Sequence, residues 1–420
     1  MLGLLNQDPP LVDHDHEHDH SAWLSGRGLD VTGEACGTQS CPVIPQYGSR
    51  SLVDELLDRP KTRSPPTQLL VPTRQSHEVP VLFREAYIEN GFRAINQPWQ
   101  YYVCSFFQLH NESMNVWTHF LAAYLMAKKL VVFSQYIDFW NDTYSWTFLT
   151  GLGSATLMYA TSTGAHWFQS HSEFIYYLSF MLDYASIGLY SFSSVMLHYT
   201  YSADKQVYEY MRDIYQPIGA ILGFLTCFCS VVGLVLLRLE YPRARKACQT
   251  IPVAFIYILL VSPILHRIYM CQIHDMECEL SIDLHTQQII WFLLSALFFV
   301  SHFPQCVLPG CFDHFFHSHQ MFHVCITVST LHQMDAVFED FFAREEIFRT
   351  RSTPTATDVM LPFGFILLGE ICTIWCFLNI ANANLALEKV KPTSITDNID
   401  VNNNIANDAV NSQHSESRQN

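Results

Sequence analysis

The sequence predicts an all-α polytopic membrane protein, with a seven-helix transmembrane core, an eighth carboxy-terminal helix and a cytosolic amino terminus. Three observations predict it. The 420 residues are 49% hydrophobic and only 15% charged, whereas a soluble domain carries about 25% charged residues. The apolar residues gather into stretches of roughly 20, the length that crosses a bilayer as a helix. The basic residues fall in alternate loops, which sets the orientation.

The elements follow in order. Residues 1–75 are polar, rich in Pro, Gly and Ser, and lack periodicity, so a disordered cytosolic leader is expected. Its "HDHEHDH", His14 to His20, reads as a solvated low-complexity tract rather than a metal site. The transmembrane domain is expected over 76–385, with spans near 113–135, 146–168, 175–198, 214–237, 250–269, 286–306, 319–339 and 360–383. Lys128 and Lys129 interrupt the first span and are expected near an interface. His266 and Arg267, near the outer end of the fifth span, are expected to snorkel. Residues 386–420, rich in Asn, Ser and Asp, are expected to form a disordered tail. No period of 20 to 50 residues repeats, which argues against a solenoid.

Charge fixes the orientation and removes one class of partner. The loop "RLEYPRARKACQ" carries Arg238, Arg243, Arg245 and Lys246, and the segment before the first span carries Arg84 and Arg93. The loop "CQIHDMECELSID" holds Asp275, Glu277, Glu279 and Asp283 with no Lys or Arg. The positive-inside rule therefore puts the amino terminus in the cytosol. A net charge of −16 argues against nucleic acid as a partner. The 13 cysteines form no CxxC pairs, and most lie in apolar runs as small hydrophobes. Cys271 and Cys278 share the acidic outer loop and can pair there. "MLGLL" is too short for the core of a signal peptide.

Inside this apolar frame stand costly polar groups. "HFFHSHQMFH" holds four histidines in ten residues. His319 and His323 stand four apart, so a helix puts both imidazoles on one face, one turn apart. His314 and His317 follow the breaker "LPG" and are expected in the loop or the first turn. His166 closes the second span and Asp183 lies in the third. They are about equally far from the turn expected near Phe174, and Ser162 lies one turn from His166 on the same face. Three neutral imidazoles suit zinc and leave a tetrahedral ion one open position. Asp183 then stands as a general base and Ser162 as a hydrogen-bonding partner in the site. An intramembrane Asp is functional by default. In "HNESMNVWTHF", Asn111 is expected to cap the first span, with Glu112 favouring its dipole; Asn115 and His119 share a face toward a neighbouring helix.

These residues give the chain a resemblance to the progestin and adipoQ receptor family. The marks are "GFRAINQPWQYY" with Glu85 upstream, "HNESMNVWTH", Ser162-x3-His166 with Asp183 seventeen residues on, and "SHQMFHV". They run from about 80 to 340, and their joint order is far more specific than any one alone. The eighth segment and "VPVLFREAYIENGFRAINQPWQYY" resemble the membrane progestin receptor branch. The resemblance implies a seven-helix core and a zinc ion on His166, His319 and His323, with Asp183 and Ser162 completing the site. It implies a steroid ligand, a progestin, at the cell membrane, and signalling through an inhibitory G protein that lowers cyclic AMP. The family is similar to alkaline ceramidases, which implies an alternative: a zinc-dependent hydrolase of membrane lipid amides. A rhodopsin-like receptor is disfavoured, because "HYTYSADK" stands where Asp-Arg-Tyr is needed and the seventh span has no Asn-Pro-x-x-Tyr.

The orientation is testable on two sequons. Asn141 of "NDT" falls in the first outer loop and Asn111 of "NES" on the cytosolic side. Glycosidase should shift the mobility of wild type and of Asn111→Gln but not of Asn141→Gln. A shift that persists in Asn141→Gln and vanishes in Asn111→Gln would reverse the orientation.

Overall fold

The computed structural model describes residues 70–237, 240–273, 280–351 and 355–390. The leader expected over 1–75 and the tail over 386–420 lie outside these residues except at 70–75 and 386–390. Described residues form helices and no strand; one isolated bridge joins Arg74 to Phe92. A short helix α1 (Trp99–Cys104) precedes the bundle. Then come α2 (Ser113–Phe133), α3 (Trp146–Phe168), α4 (Glu173–Leu197), α5 (Lys205–Val232), α6 (Pro242–Ile273), α7 (Leu280–Ser301) and α8 (Ser318–Ala343). A five-residue helix, α9 (Glu345–Arg349), leads to α10 (Ala356–Val390).

Among the described residues eight long helices lie near the eight expected spans, and six of them are long and apolar enough to cross a membrane. The two outside that six, α3 and α8, are 23 and 26 residues long. Their apolar character is diluted by residues they bury, among them Ser154, Ser162 and His166 on α3 and Gln320, His323 and Gln333 on α8. Such groups are tolerated in a bilayer only when they face the interior. The outer faces are apolar instead: Phe120 and Leu121 on α2, Phe255 and Ile258 on α6, Leu293 and Leu297 on α7, and Leu368 and Trp375 on α10 are all exposed. In water such a surface would be a liability; against lipid it costs nothing.

Local signals explain the boundaries. Ser172 caps α4, its hydroxyl accepting from the Ile175 amide at 3.3 Å, and Glu173 stands in the first turn. Pro217, Pro252, Pro263 and Pro362 lie within α5, α6 and α10, a placement that membrane helices tolerate because neighbours satisfy the freed carbonyls. The last turns of α4 and α5 widen into π-helix at His198–Ser202 and Gly233–Leu237. Helix α10 packs on α4 and α5 through a notch of small residues: a methyl group added at Gly188 would collide with the Glu370 carboxylate and lie 2.8 Å from the Gly223 carbonyl. Glu370 is fully buried there.

Arg267 corrects an expectation. It does not snorkel but turns inward, 5% exposed. Its guanidinium donates to Asp340 of α8 at 2.8 Å, and His285 of α7 and Ser202 meet the same oxygen at 2.9 and 2.5 Å. The i+4 rhythm of α6 faces Arg267 toward the bundle, and Asp340 gives it a partner there. His266 remains half-exposed, 3.3 Å from Asp204. Lys129 reaches Asp335 of α8, so it too has a carboxylate partner. Cys271 is disulfide-bonded; Cys278 lies outside the described residues.

These two pairs should respond differently to mutation. Breaking a buried ion pair costs about 3–5 kcal/mol, and breaking an exposed one roughly 0–1 kcal/mol. Thermal unfolding of detergent-purified protein should show Asp340→Ala far less stable than wild type and Asp335→Ala nearly unchanged. Equal losses would refute a buried role for Asp340.

Candidate metal centre

Three helices build the centre. His166 lies two residues before the end of α3, and Arg93 holds that end: its guanidinium donates to the His166 carbonyl at 2.7 Å and to the Trp167 carbonyl. A cation suits a helix carboxy terminus, whose last carbonyls lack partners. Arg93 is itself placed by a loop clamp. Asp313, before α8, accepts from the Glu89 and Asn90 amides, each at 3.0 Å. Gly91, at φ +91°, lets the chain pass the Asn111 amide closely. Helix α8 starts at Ser318, which sets His319 and His323 on one face.

The outcome matches the expected triad. His166, His319 and His323 each offer a ligand atom, all within 4.8 Å of one another. His166 and His323 are buried and His319 is partly so. His166 Nε2 and His319 Nε2 stand 3.2 Å apart. Two of the three Nδ1 atoms have partners. His166 Nδ1 donates to Glu112 Oε2 at 2.8 Å, and His323 Nδ1 lies 3.3 Å from the Asn115 carbonyl. A proton on each Nδ1 leaves each Nε2 with a lone pair, the form in which imidazole binds metal. Lone pairs converging this closely repel unless a proton or a cation lies between them. The donor set therefore fits a divalent ion of zinc type.

Register explains how α4 joins in. Thr161 of α3 and Ser186 of α4 share a hydrogen bond of 2.6 Å. Counting back from Ser186 and forward from Thr161 puts Asp183 opposite residue 164, about 3 Å in height from His166 at 1.5 Å per residue. The break between the helices runs over 169–172, and the pairing of 161 with 186 centres between 173 and 174, so the near-equal arms expected about Phe174 hold. Asp183 is buried, and its Oδ1 makes no hydrogen bond. Ser162 points elsewhere: its hydroxyl meets His119 Nδ1 at 2.8 Å. The His119 ring stacks on His323 with centroids 3.4 Å apart and planes at 9°. Ser162 thus reaches the histidine cluster through His119.

His317 is the amino cap of α8, its Nε2 3.3 Å from the Asn111 carbonyl, and His314 lies in the turn before it. Neither belongs to the triad. Two expectations change on α2. Asn111 does not cap the helix; it donates to Glu112 Oε1 at 3.2 Å, and Glu112 occupies the cap position. The Glu112 carboxylate turns from the helix terminus to His166, with Asn115 Nδ2 donating to the same oxygen at 2.7 Å. Burial would raise this carboxyl, but the hydrogen bonds from His166 and Asn115 hold it well below the usual carboxylate range. Glu85, in the segment before α1, is pushed up to about 7, first by burial and then by Glu112. Glu112, Asn115 and His119 stand at 3- and 4-residue spacing. That face was visible in the sequence, but nothing there named His166 as its target.

Residues 107–334 match the haemolysin-III-related family. That span includes all three histidines, Glu112, Ser162 and Asp183. The chain is 36% identical over 291 residues to membrane progestin receptor beta of Homo sapiens, covering 69% of this chain and 82% of that protein. It is 34% identical over 278 residues to membrane progestin receptor alpha of Homo sapiens, covering 66% and 79%. Against membrane progestin receptor alpha-B of Danio rerio it is 32% identical over 293 residues, covering 69% and 82%. The chain is a multi-pass membrane protein and belongs to the haemolysin-III-related family, the progestin and adipoQ receptors to which its motifs point.

Proposed function

We propose that this chain is a membrane progestin receptor whose bundle carries zinc on His166, His319 and His323, with a cytosolic amino terminus. The observation that carries the receptor reading is its likeness to receptors named for progestins over most of both chains. The histidine triad carries the zinc. Coupling to an inhibitory G protein and lowered cyclic AMP follow from the likeness to the receptor branch alone. The cell membrane is the proposed location.

One observation favours a second reading, lipid amide hydrolysis. Asp183 is a buried carboxylate with an unpartnered oxygen at the height of the triad. A structural metal site has no need of such a group, whereas an amidase needs one. Zinc at the triad would supply Lewis acidity toward a lipid carbonyl. Asp183 Oδ1 would take the proton from the attacking nucleophile and return it to the leaving amine. His119 and Ser162 would fix the His323 ring, and Glu112 the His166 tautomer. The two functions are compatible if hydrolysis is part of signalling.

Metal analysis of purified protein tests the centre. Wild type should hold one zinc per chain, and His166→Ala and His323→Ala should lose it. Glu112→Gln should keep the ligands and weaken affinity by roughly 10–100-fold, the usual cost of removing a ligand's hydrogen-bond partner. Full zinc retention by His166→Ala would sink the assignment.

Turnover separates the readings. Ceramide hydrolysis by wild type, lost in Asp183→Asn with zinc still bound, would establish the amidase. Progesterone binding without any amide hydrolysis would leave a receptor with a structural metal.

A further inference from the structure

A second polar region lies in the bundle, away from the triad. A cavity of about 60 Å³ sits between α4, α6, α7 and α8. One water needs only about 10–15 Å³ of such space. Two hydroxyls that line it are buried: Tyr257 Oη of α6 makes no hydrogen bond, and Ser194 Oγ of α4 has only the neighbouring Tyr190 hydroxyl. Ser194 is 1% exposed. Their polar neighbours are already committed. Tyr190 donates to Gln333 Oε1 and lies 3.3 Å from the Thr330 hydroxyl, and Gln333 Nε2 lies 3.3 Å from His198 Nε2. The remaining walls are apolar, among them Ile256, Leu260 and Ile326.

The side toward lipid is thin. Helices α6 and α7 touch sparsely compared with α7 and α8. The seam is closed by Tyr257 of α6 and Phe292 of α7, stacked with centroids 3.6 Å apart and planes at 7°. Both rings also line the cavity. A flat ring system can replace one face of such a stack at little cost, because it offers the same apolar contact.

Resting on the receptor reading above, we infer that this cavity receives the carbonyl end of a flat apolar ligand, a 3-ketosteroid, which enters from the bilayer between α6 and α7. The Ser194 and Tyr257 hydroxyls donate to its ketone oxygen. Such an oxygen has two lone pairs and no proton, the complement of two donors. The ring body lies in the seam against Tyr257 and Phe292, since the cavity itself holds only the polar end. Leaving the Tyr257 hydroxyl unsatisfied is costly, and ligand binding relieves that cost.

Saturation binding of tritiated progesterone to membranes expressing the full chain tests this. Tyr257→Phe removes no hydrogen bond within the protein and Ser194→Ala removes at most a contact with the Tyr190 hydroxyl, which keeps Gln333, so the number of folded chains should hold. Each should weaken Kd by about fivefold to tenfold at an unchanged number of sites. Ser194→Leu, which fills the cavity, should abolish binding while zinc content stays at the wild-type level. Unchanged affinity in all three variants would mean that the cavity holds water only; the pocket would be refuted and the receptor reading would stand. Absence of progesterone binding by wild type would overturn the receptor reading, and this inference with it.

Discussion

The hydrogen bond from His166 to Glu112, 2.8 Å long, is the contact on which the centre depends. It selects the tautomer that turns the His166 lone pair toward the other two rings. It also gives a buried carboxylate its main partner, which burial otherwise penalises. Glu112 in turn gathers Asn115 and Asn111. The start of α2 is therefore organised around the end of α3. With His323 held by the Asn115 carbonyl, α2 contributes no ligand and yet positions two of the three.

The bundle divides its polar groups between two depths. Near the amino end of α8 stand the histidine triad, Glu112 and Asp183. Toward its carboxy end Asp340 collects Arg267, His285 and Ser202. Helix α8 runs through both, which explains why it is less apolar than its neighbours. Its polar residues bind inward and its lipid face is narrow. Between the two depths a chain of side chains, Gln288, Gln333, Tyr190, Thr330 and Tyr159, keeps buried donors and acceptors paired. Where the cavity opens, the Tyr257 hydroxyl lacks a partner.

Much of this was legible in the residues. The pair His319 and His323 follows from helical period alone, His166 from its place at the end of an apolar run, and Asp183 from being a carboxylate inside one. Hydropathy located the long helices but not their lengths: α6 and α10 run 32 and 35 residues where spans near 250–269 and 360–383 were expected. What failed to show were contacts between residues distant in sequence. Glu112 was read as complementing its own helix dipole because a carboxylate in a first turn ordinarily does so. Its partner is 54 residues away. Arg267 was read as snorkelling because a basic residue near a helix end ordinarily reaches water; its acceptor is 73 residues on. The depth of Asp183 follows from near-equal arms about Phe174, which the pairing of Thr161 with Ser186 reproduces. Local rules give residue type and face; only packing gives the partner.

The grip of Arg93 on the carbonyls that end α3 has a consequence for dissection of the chain. All the triad histidines lie within residues 166–323. A fragment beginning at Glu112, the cap of α2, would keep every one of them. It would lose the guanidinium that closes α3, along with the Glu89 and Asn90 amides that Asp313 grips. The last turn of α3 would then fray at the residue that must hold its ring in place. The smallest autonomous unit of this protein is thus larger than its bundle: the segment ahead of the first span works as the keystone of an arch whose stones all come later in the chain.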